Sequence, residues 1–575
     1  MAERAAMLPR DPAEPFVLLD DMSGDAGAVA RLYRHPVEVV SGEFDAVLDR
    51  LRGTDLHAAG YLPFEGDGGW FGLFDRCEVL AAEDVPALLP DPSGAWAGAP
   101  RPLIDFEAYT AALTATQDWI ASGDIYQANV TFPTELAICG HPLALYARLR
   151  PRGGGRWGGI VWTGETWLLS FSPELFFSLD GRTITARPMK GTARRDGDDA
   201  AAIARLSADP KQRAENLMIV DLMRNDLSRV AEAGSVRVPD LFTVETYPTV
   251  HQMTSTVKAM LLPGLHAADI LAAAFPCGSV TGAPKKRAME VIRAIETGPR
   301  GAYTGAIGHV APDGSAAFNV AIRTLVIPNN DDKARLNLGS GIVADSIIAE
   351  EWRECHDKGA FVTLSMPALD LLETMRFDAM EGIQDLDRHL GRMKASADTL
   401  GIPFNRHDVR NEIQAATFRL RGERAVRLLV SATGKIAIET RPVPATPDMP
   451  VDVALAPLPV DPSDFRLRHK TTDRDFFRAA HKAAGTFEVV FIGADGVVHE
   501  GSFTNVFVAR DGRLATPPLD RGVMPGVFRA RLLDEGRAFE AELRPDDLAD
   551  GFLIGNALRG LMRARLVAGA AKPGL

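Results

Sequence analysis

A lysine amine attacks carbon only when part of its population is unprotonated, a state that burial or a nearby cation favours. Two segments place a lysine among cations. RPMKGTARR (187–195) puts Lys190 near Arg187 and Arg194, and RLRHKTTDR (466–474) puts Lys470 among Arg466, Arg468 and Arg474. The first suits a nucleophile and the second suits a Schiff base with a carbonyl compound. Taken alone, both read equally well as basic loops. Carboxylates form a further set. Glu215 precedes VDLMRND, and Glu351 and Glu354 lie in EEWRECHDK. The last two share a face if that segment is helical. Magnesium prefers oxygen ligands and often takes one or two protein carboxylates plus substrate. Spacing alone is equally satisfied by solvated helix glutamates.

The elements around these residues follow from periodicity. Residues 213–230 carry apolar side chains at helical spacing with charges opposite, and 283–295 does the same with Pro284 in the first turn. Strands are expected at 166–171, 318–327 and 336–343. The glycine-rich stretch 66–74 (GDGGWFGLF) is expected to connect strands tightly. Near 360–370 the texture changes, and a fresh α/β pattern begins without a low-complexity linker. There is no internal repeat.

At 575 residues the chain exceeds one hydrophobic core, so two or more domains are expected. Its net charge of −13 argues against a nucleic-acid partner or an anionic membrane surface. No apolar run approaches the length of a membrane span. The stretch MAERAAMLPRDPAEP has acids and prolines where a signal peptide needs an apolar run. Cys77, Cys139, Cys277 and Cys355 are scattered without a CxxC pair, which disfavours zinc or a disulfide framework. A cytoplasmic location is expected.

Eight motifs in order then carry a resemblance over residues 15–365: GDIYQANVT, SPELFF, RPMKGTARR, ENLMIVDLMRNDLSRV, GSVTGAPKKRAMEVI, YTGAIG, IRT and GSGIVADS. This part resembles the chorismate-utilising family that includes anthranilate synthase, isochorismate synthase and aminodeoxychorismate synthase component I. The resemblance implies that Lys190 attacks C2 of chorismate, where anthranilate synthases usually have alanine, and that ammonia then enters at C4. It implies Glu174 as the acid for the leaving C4 hydroxyl. Glu215 and Glu354 would bind Mg2+, with Glu351 helping through water. Tyr303 and Arg323 would hold the pyruvyl-ether carboxylate. Gly339 and Gly341 would approach the substrate closely, and Ser279 and Lys358 are further pocket candidates. At the family's histidine position the alignment puts Gln252, with His251 one place early. Loss of that histidine fits a module that stops at aminodeoxychorismate, although a register shift would return His251 to the role.

The rest of the chain resembles the class IV pyridoxal-phosphate family, which contains branched-chain and D-amino-acid aminotransferases and aminodeoxychorismate lyase. The motifs are ETMRF, DRHLGRM, HKTTDR, DGVVHEGSFTNVFV, LDRGVMPGVFR and GNALRG. The resemblance implies that Lys470 carries pyridoxal 5'-phosphate and that Glu500 pairs with its pyridine nitrogen. Arg392, Gly526 and Val527 would hold the phosphate, and Ser502, Thr504 and Asn505 would line the pocket. Thr374, Arg376, Asn556 and Arg559 would face the substrate. A homodimer through this module is a further expectation.

Together the resemblances imply an α+β/α/β chain. An anthranilate synthase component I-like two-sheet α/β sandwich (1–365) precedes a class IV, D-amino-acid aminotransferase-like two-subdomain fold (366–575). The implied function is conversion of chorismate and ammonia to 4-amino-4-deoxychorismate, then loss of pyruvate to give 4-aminobenzoate for folate synthesis. No cysteine sits in a glutaminase-type elbow, so a separate glutamine amidotransferase subunit or free ammonia is expected. The alternative is an anthranilate-type synthase joined to a class IV amino-acid aminotransferase. The second module's own residues do not separate lyase from aminotransferase.

Overall fold

The computed structural model describes residues 7–8, 12–153, 155–195, 197–246 and 250–567, without the side chains of Arg194 and Val250. Residues 1–6 and 9–11 of the N-terminal stretch read above lie outside the described residues. Two compact units divide the rest. One takes the residues up to Pro92 with Ala99–Ala137 and Pro142–Ser365; the other takes Ser93–Gly98, Ile138–His141 and the residues from Met366 on. No described helix is long and apolar enough to cross a membrane.

The first unit is built on two large antiparallel sheets. One runs in the order Glu78–Ala81, Val29–Arg34, Phe16–Asp21, Trp157–Trp162, Thr166–Ser172 and Thr324–Pro328. The other runs Met189–Arg194, Val250–Met260, Thr183–Arg187, Leu175–Asp180, Ala316–Val320, Ala306–Val310, His57–Leu62, Gly69–Phe74 and Glu38–Gly42. Val17, Tyr33, Val161 and Leu168 from the first sheet pack on Ala59, Phe74 and Ile307 from the second. The opposite face of the second sheet is covered by helices Phe44–Arg52, Pro210–Ser228 and Ala267–Ala274. A small third sheet joins Gly282–Ala283, Gln127–Phe132 and Leu338–Ile342.

Three expectations need correction. Gly69–Phe74 is a fully buried strand rather than a connection. Its glycines serve close packing, since a Cβ on Gly72 would lie 2.4 Å from the Phe74 ring and one on Gly69 2.9 Å from Leu62 Cδ2. The stretch 318–327 is two strands, interrupted where Arg323 takes φ 51°. Pro284 caps the helix Lys285–Ile295 from outside its first turn.

Helix Pro210–Ser228 starts where Asp209 accepts N–H bonds from Lys211 and Gln212, with Pro210 in the first turn. Its buried stripe includes Asn216, Ile219, Val220, Met223 and Leu227, so the adjacent Glu215 sits at the rim of the core. Helix Ile348–Leu364 carries Glu351, Glu354 and Lys358 at spacings that share a face.

In the second unit, strands Gly382–Ile383, Asp370–Asp378, Arg424–Ser431 and Ile436–Pro442 form one sheet beside helices Leu386–Leu400 and Arg406–Thr417. Trp96 joins that core and donates its indole N–H to the Leu400 carbonyl at 3.0 Å. An eight-stranded sheet follows, from Val498–Gly501 through Glu488–Ile492 to Ala538–Glu540 at the far edge.

Candidate active sites

Lys190 lies on the edge strand Met189–Arg194. The buried Asn216 amide donates to its carbonyl at 3.2 Å, and Glu215 Oε2 lies 3.5 Å from its Nζ. The expected cationic company is not what faces this amine. Arg187 is drawn to Glu245 on the strand Arg237–Thr246, and the Arg194 side chain lies outside the described residues. The group set against Lys190 is a carboxylate.

Gly341 makes the space Lys190 occupies. A Cβ there would stand 2.7 Å from Lys190 Nζ, 2.7 Å from Gln127 Nε2 and 2.8 Å from Asn129 Oδ1. Only glycine admits three polar groups that close. Gln127 is fully buried, and neither atom of its amide has a hydrogen-bond partner among the described residues. Burying an unpaired amide is costly, which marks the position as unusual. Sequence reasoning quoted its motif, GDIYQANVT, without singling it out.

Glu174 is buried beside this cluster. Burial raises its carboxyl to about 7, against the Ser279 hydroxyl, the Met189 N–H and the Lys190 charge, which all favour ionisation. Its Oε1 lacks a partner. Ser279 Oγ also lies 3.2 Å from Cys277 Sγ.

The other carboxylates gather around lysines. Lys358 bonds Glu354 at 2.8 Å and the Gly339 carbonyl at 2.9 Å. Lys358 holds Glu354 below the usual carboxylate range, with Lys190 and Lys211 adding to the effect. Glu351 accepts from the Ser346 hydroxyl at 2.8 Å. Lys211 pairs with Asp345 and also feels Glu215 and Glu351. Glu215, Glu351 and Glu354 therefore act on a shared set of lysines. Among the described residues no three His, Cys, Asp or Glu side chains form a closed metal cluster. An all-carboxylate donor set nevertheless suits a hard cation that completes its shell with substrate and water.

Tyr303 is buried, and burial pushes its hydroxyl up to about 12. Its neighbour Thr304 (φ 61°) and Arg323 (φ 51°) both adopt left-handed backbone, which costs a non-glycine residue of order 1–3 kcal/mol. Their loops are tied together, Thr304 N–H to the Ala321 carbonyl at 2.8 Å and Ala321 N–H to Gly305 at 2.9 Å. Arg323 donates to the Gly153 carbonyl at 3.2 Å. Gln252 donates to the Gly191 carbonyl at 2.8 Å and accepts from Thr192 at 2.9 Å, bracing the strand just past Lys190. His251 points elsewhere, to Thr246 at 3.0 Å and Asp199 at 3.2 Å.

Lys470 is half-buried in the second unit. Burial lowers its amine to about 8; Glu373 opposes this, while Arg392, Arg474 and Arg427 reinforce it. Of the three arginines beside it in sequence, only Arg474 acts this way. Arg466 is held by Asp464 at 2.6 Å, and the tertiary fold supplies Arg392 and Arg427. Burial raises Glu500 to about 8 although Arg474 pulls it back. Its Oε2 accepts the Met524 N–H at 3.0 Å, and its Oε1 has no partner among the described residues.

Gly526 caps the helix Val527–Asp534, whose first N–H groups form an anion-binding end. A Cβ on Gly526 would strike Asn505 Oδ1, and Asn505 in turn donates to the Met524 carbonyl at 3.2 Å. Arg392 donates to the Pro525 carbonyl at 3.0 Å and doubly to Glu373. Glu373 also pairs with His389 at 2.7 Å. Both residues stand in motifs quoted above, ETMRF and DRHLGRM, and neither was singled out.

Several expected pocket residues have other work. The hydroxyls of Ser502 and Thr504 bond the buried Glu488 rather than standing free. The Asn556 carbonyl oxygen accepts from the Leu558 and Arg559 N–H groups at 3.0 and 2.9 Å, closing its own turn. Arg559 reaches the Ala445 carbonyl at 3.0 Å. Thr374 sits on the half-buried face of its strand, opposite Arg427 in register. Arg376, on the same face, bonds Glu423 at 2.7 Å.

Comparison with known proteins finds two families along the chain. The family described as chorismate binding enzyme matches residues 75–363, and that described as amino-transferase class IV matches residues 370–567. The chain belongs to the chorismate binding enzyme family and carries a class IV aminotransferase domain behind it. Aminodeoxychorismate synthase component 1 of Klebsiella aerogenes is 44% identical over 255 residues, 44% of this chain and 56% of that protein. The protein of that name from Escherichia coli (strain K12) is 42% identical with the same coverage. The chain thus spans just over half the length of these relatives. Anthranilate synthase component 1 of Thermus thermophilus is 37% identical over 326 residues, 56% of this chain and 68% of that protein. The solved anthranilate synthase component I of Streptococcus pneumoniae TIGR4 superposes with TM-score 0.51 at 26% identity, over 59% of this chain and 93% of that one.

Proposed function

We propose that the chain makes 4-aminobenzoate from chorismate in two steps, with ammonia supplied by a separate glutaminase. The observation that carries this reading is Lys190 set in the space left by Gly341, beside a buried acid of pKa about 7. Lys190 Nζ attacks C2 of the ring, and Glu174, protonated below about pH 7, gives its proton to the hydroxyl leaving C4. Ammonia then adds at C4 and Lys190 departs from C2, giving 4-amino-4-deoxychorismate. Lys190 attacks as the free amine, having passed its proton to water. Glu215 and Glu354, with Glu351 through water, would hold magnesium, which supplies charge neutralisation for the ring carboxylate. Tyr303 and Arg323 hold the other carboxylate.

In the second unit, Lys470, Glu500, Arg392, Asn505 and the Gly526–Val527 turn would hold pyridoxal phosphate, which supplies an electron sink. The buried, unpaired Glu500 Oε1 and the helix end at Gly526 fit the two polar ends of that cofactor. Lys470 removes the proton at C4 of the substrate as pyruvate leaves and the ring becomes aromatic. An amine of pKa about 8 has a substantial free-base fraction near neutrality. The product serves folate synthesis.

Incubation with chorismate, magnesium, ammonia and pyridoxal phosphate tests the reading. It predicts 4-aminobenzoate and pyruvate in equal amounts. Anthranilate as the main product would favour an anthranilate-type synthase joined to an aminotransferase.

A further inference from the structure

Glu488 opens the strand Glu488–Ile492 and is fully buried. Its carboxylate collects five donors. Oε1 accepts from Val489 N–H at 2.8 Å, Ser502 N–H at 3.0 Å and the Ser502 hydroxyl at 2.5 Å. Oε2 accepts from Phe503 N–H at 3.2 Å and the Thr504 hydroxyl at 2.7 Å. Four of the five come from the turn between the strands Val498–Gly501 and Asn505–Arg510. The turn is shaped to this carboxylate, for a Cβ on Gly501 would lie 2.7 Å from Glu488 Oε2.

The strands joined by that turn carry Glu500 and Asn505, and both reach the same segment. Met524 N–H donates to Glu500, Asn505 donates to the Met524 carbonyl, and Gly526 N–H donates to that carbonyl at 2.7 Å. Whatever fixes the 501–504 turn therefore fixes the distance between the Glu500 carboxylate and the helix end at Gly526. Those are the two ends of the pocket proposed for the cofactor. Arg474, half-buried, is a cation that both Glu488 and Glu500 act on.

We propose that Glu488 is a positioning residue that holds Glu500 and Asn505 in register with the Gly526 helix end, and so sets how pyridoxal phosphate is gripped at its ring nitrogen. This rests on the cofactor reading above. Glutamine at 488 keeps the shape but replaces one accepting oxygen with a donor that faces donors.

The full chain is titrated with pyridoxal phosphate, following the visible band of the bound cofactor and the pH at which that band switches. In Glu488→Gln the dissociation constant is expected to rise about tenfold or more, and the pH midpoint of the band to move by about one unit. Thr504→Val, which removes one donor, should shift both in the same direction by less, and decides the matter if Glu488→Gln does not fold. Thr516→Val is the control. Thr516 is buried in the same sheet and its hydroxyl donates to the Val506 carbonyl at 2.8 Å; its loss should lower Tm without moving the midpoint. Unchanged affinity and midpoint in a folded Glu488→Gln, or in Thr504→Val where that variant decides, overturn the inference while leaving the cofactor reading intact. A wild-type chain that develops no visible band overturns both.

Discussion

The two units each present a lysine, in opposite surroundings. Lys470 is half-buried with three arginines near it, and desolvation and those cations lower its amine to about 8 against the pull of Glu373. Lys190 stands partly exposed with the Glu215 carboxylate 3.5 Å away. Lys470 is set chiefly among guanidinium groups, whereas Lys190 is set against a carboxylate. The same contrast holds for the acids. Glu174 and Glu500 are both raised by burial, to about 7 and about 8. Glu174 has a proton to give to a leaving hydroxyl, and Glu500 waits for a positive partner.

Breaking each side of the comparison gives graded effects. Lys470→Ala should abolish the visible band of bound pyridoxal phosphate outright, and a retained band would place the cofactor elsewhere. Lys190→Ala should reduce ammonia-dependent amination at C4 to the detection limit while leaving that band unchanged; full retention of amination refutes the nucleophile assignment. Glu174→Gln should slow the first step by roughly 10²–10⁴-fold. In the wild type that step should decline as pH rises through about 7, because the raised carboxyl holds its proton only below that value. The decline should vanish in the variant, and an unaltered pH profile would remove Glu174 from the role. Gly341→Ala should have the smallest effect, since its new methyl would crowd Lys190, Gln127 and Asn129 at a strain of about 1–3 kcal/mol. A rise in KM for chorismate without loss of the visible band is expected, and unchanged kinetics would show that the Lys190 pocket tolerates the added carbon.

Much of this was legible in the sequence because motif order carries it. GSGIVADS contains Gly341, and HKTTDR contains Lys470. Charge environment was less legible. Arg187 stands close to Lys190 in sequence yet spends its charge on Glu245 across a strand pair. Arg392 and Arg427 reach Lys470 from elements far away in the chain. Local spacing does not report such partners, because tertiary packing chooses them. Hydroxyl partners show the same limit: Ser502 and Thr504 were expected to line the pocket, and their hydroxyls bond a buried carboxylate fourteen or more residues earlier. The strand at Gly69–Phe74 was missed because its glycines look like a turn until the side chains packed against them, Leu62 and the Phe74 ring, are known.

The central claim is that two lysines serve two successive reactions. The direct test supplies Lys470→Ala in the full chain with chorismate, magnesium and ammonia, and identifies what accumulates. The account predicts 4-amino-4-deoxychorismate, converted to 4-aminobenzoate and pyruvate once wild-type chain and pyridoxal phosphate are added. Undiminished 4-aminobenzoate from the variant alone, or accumulation of anthranilate, would contradict it.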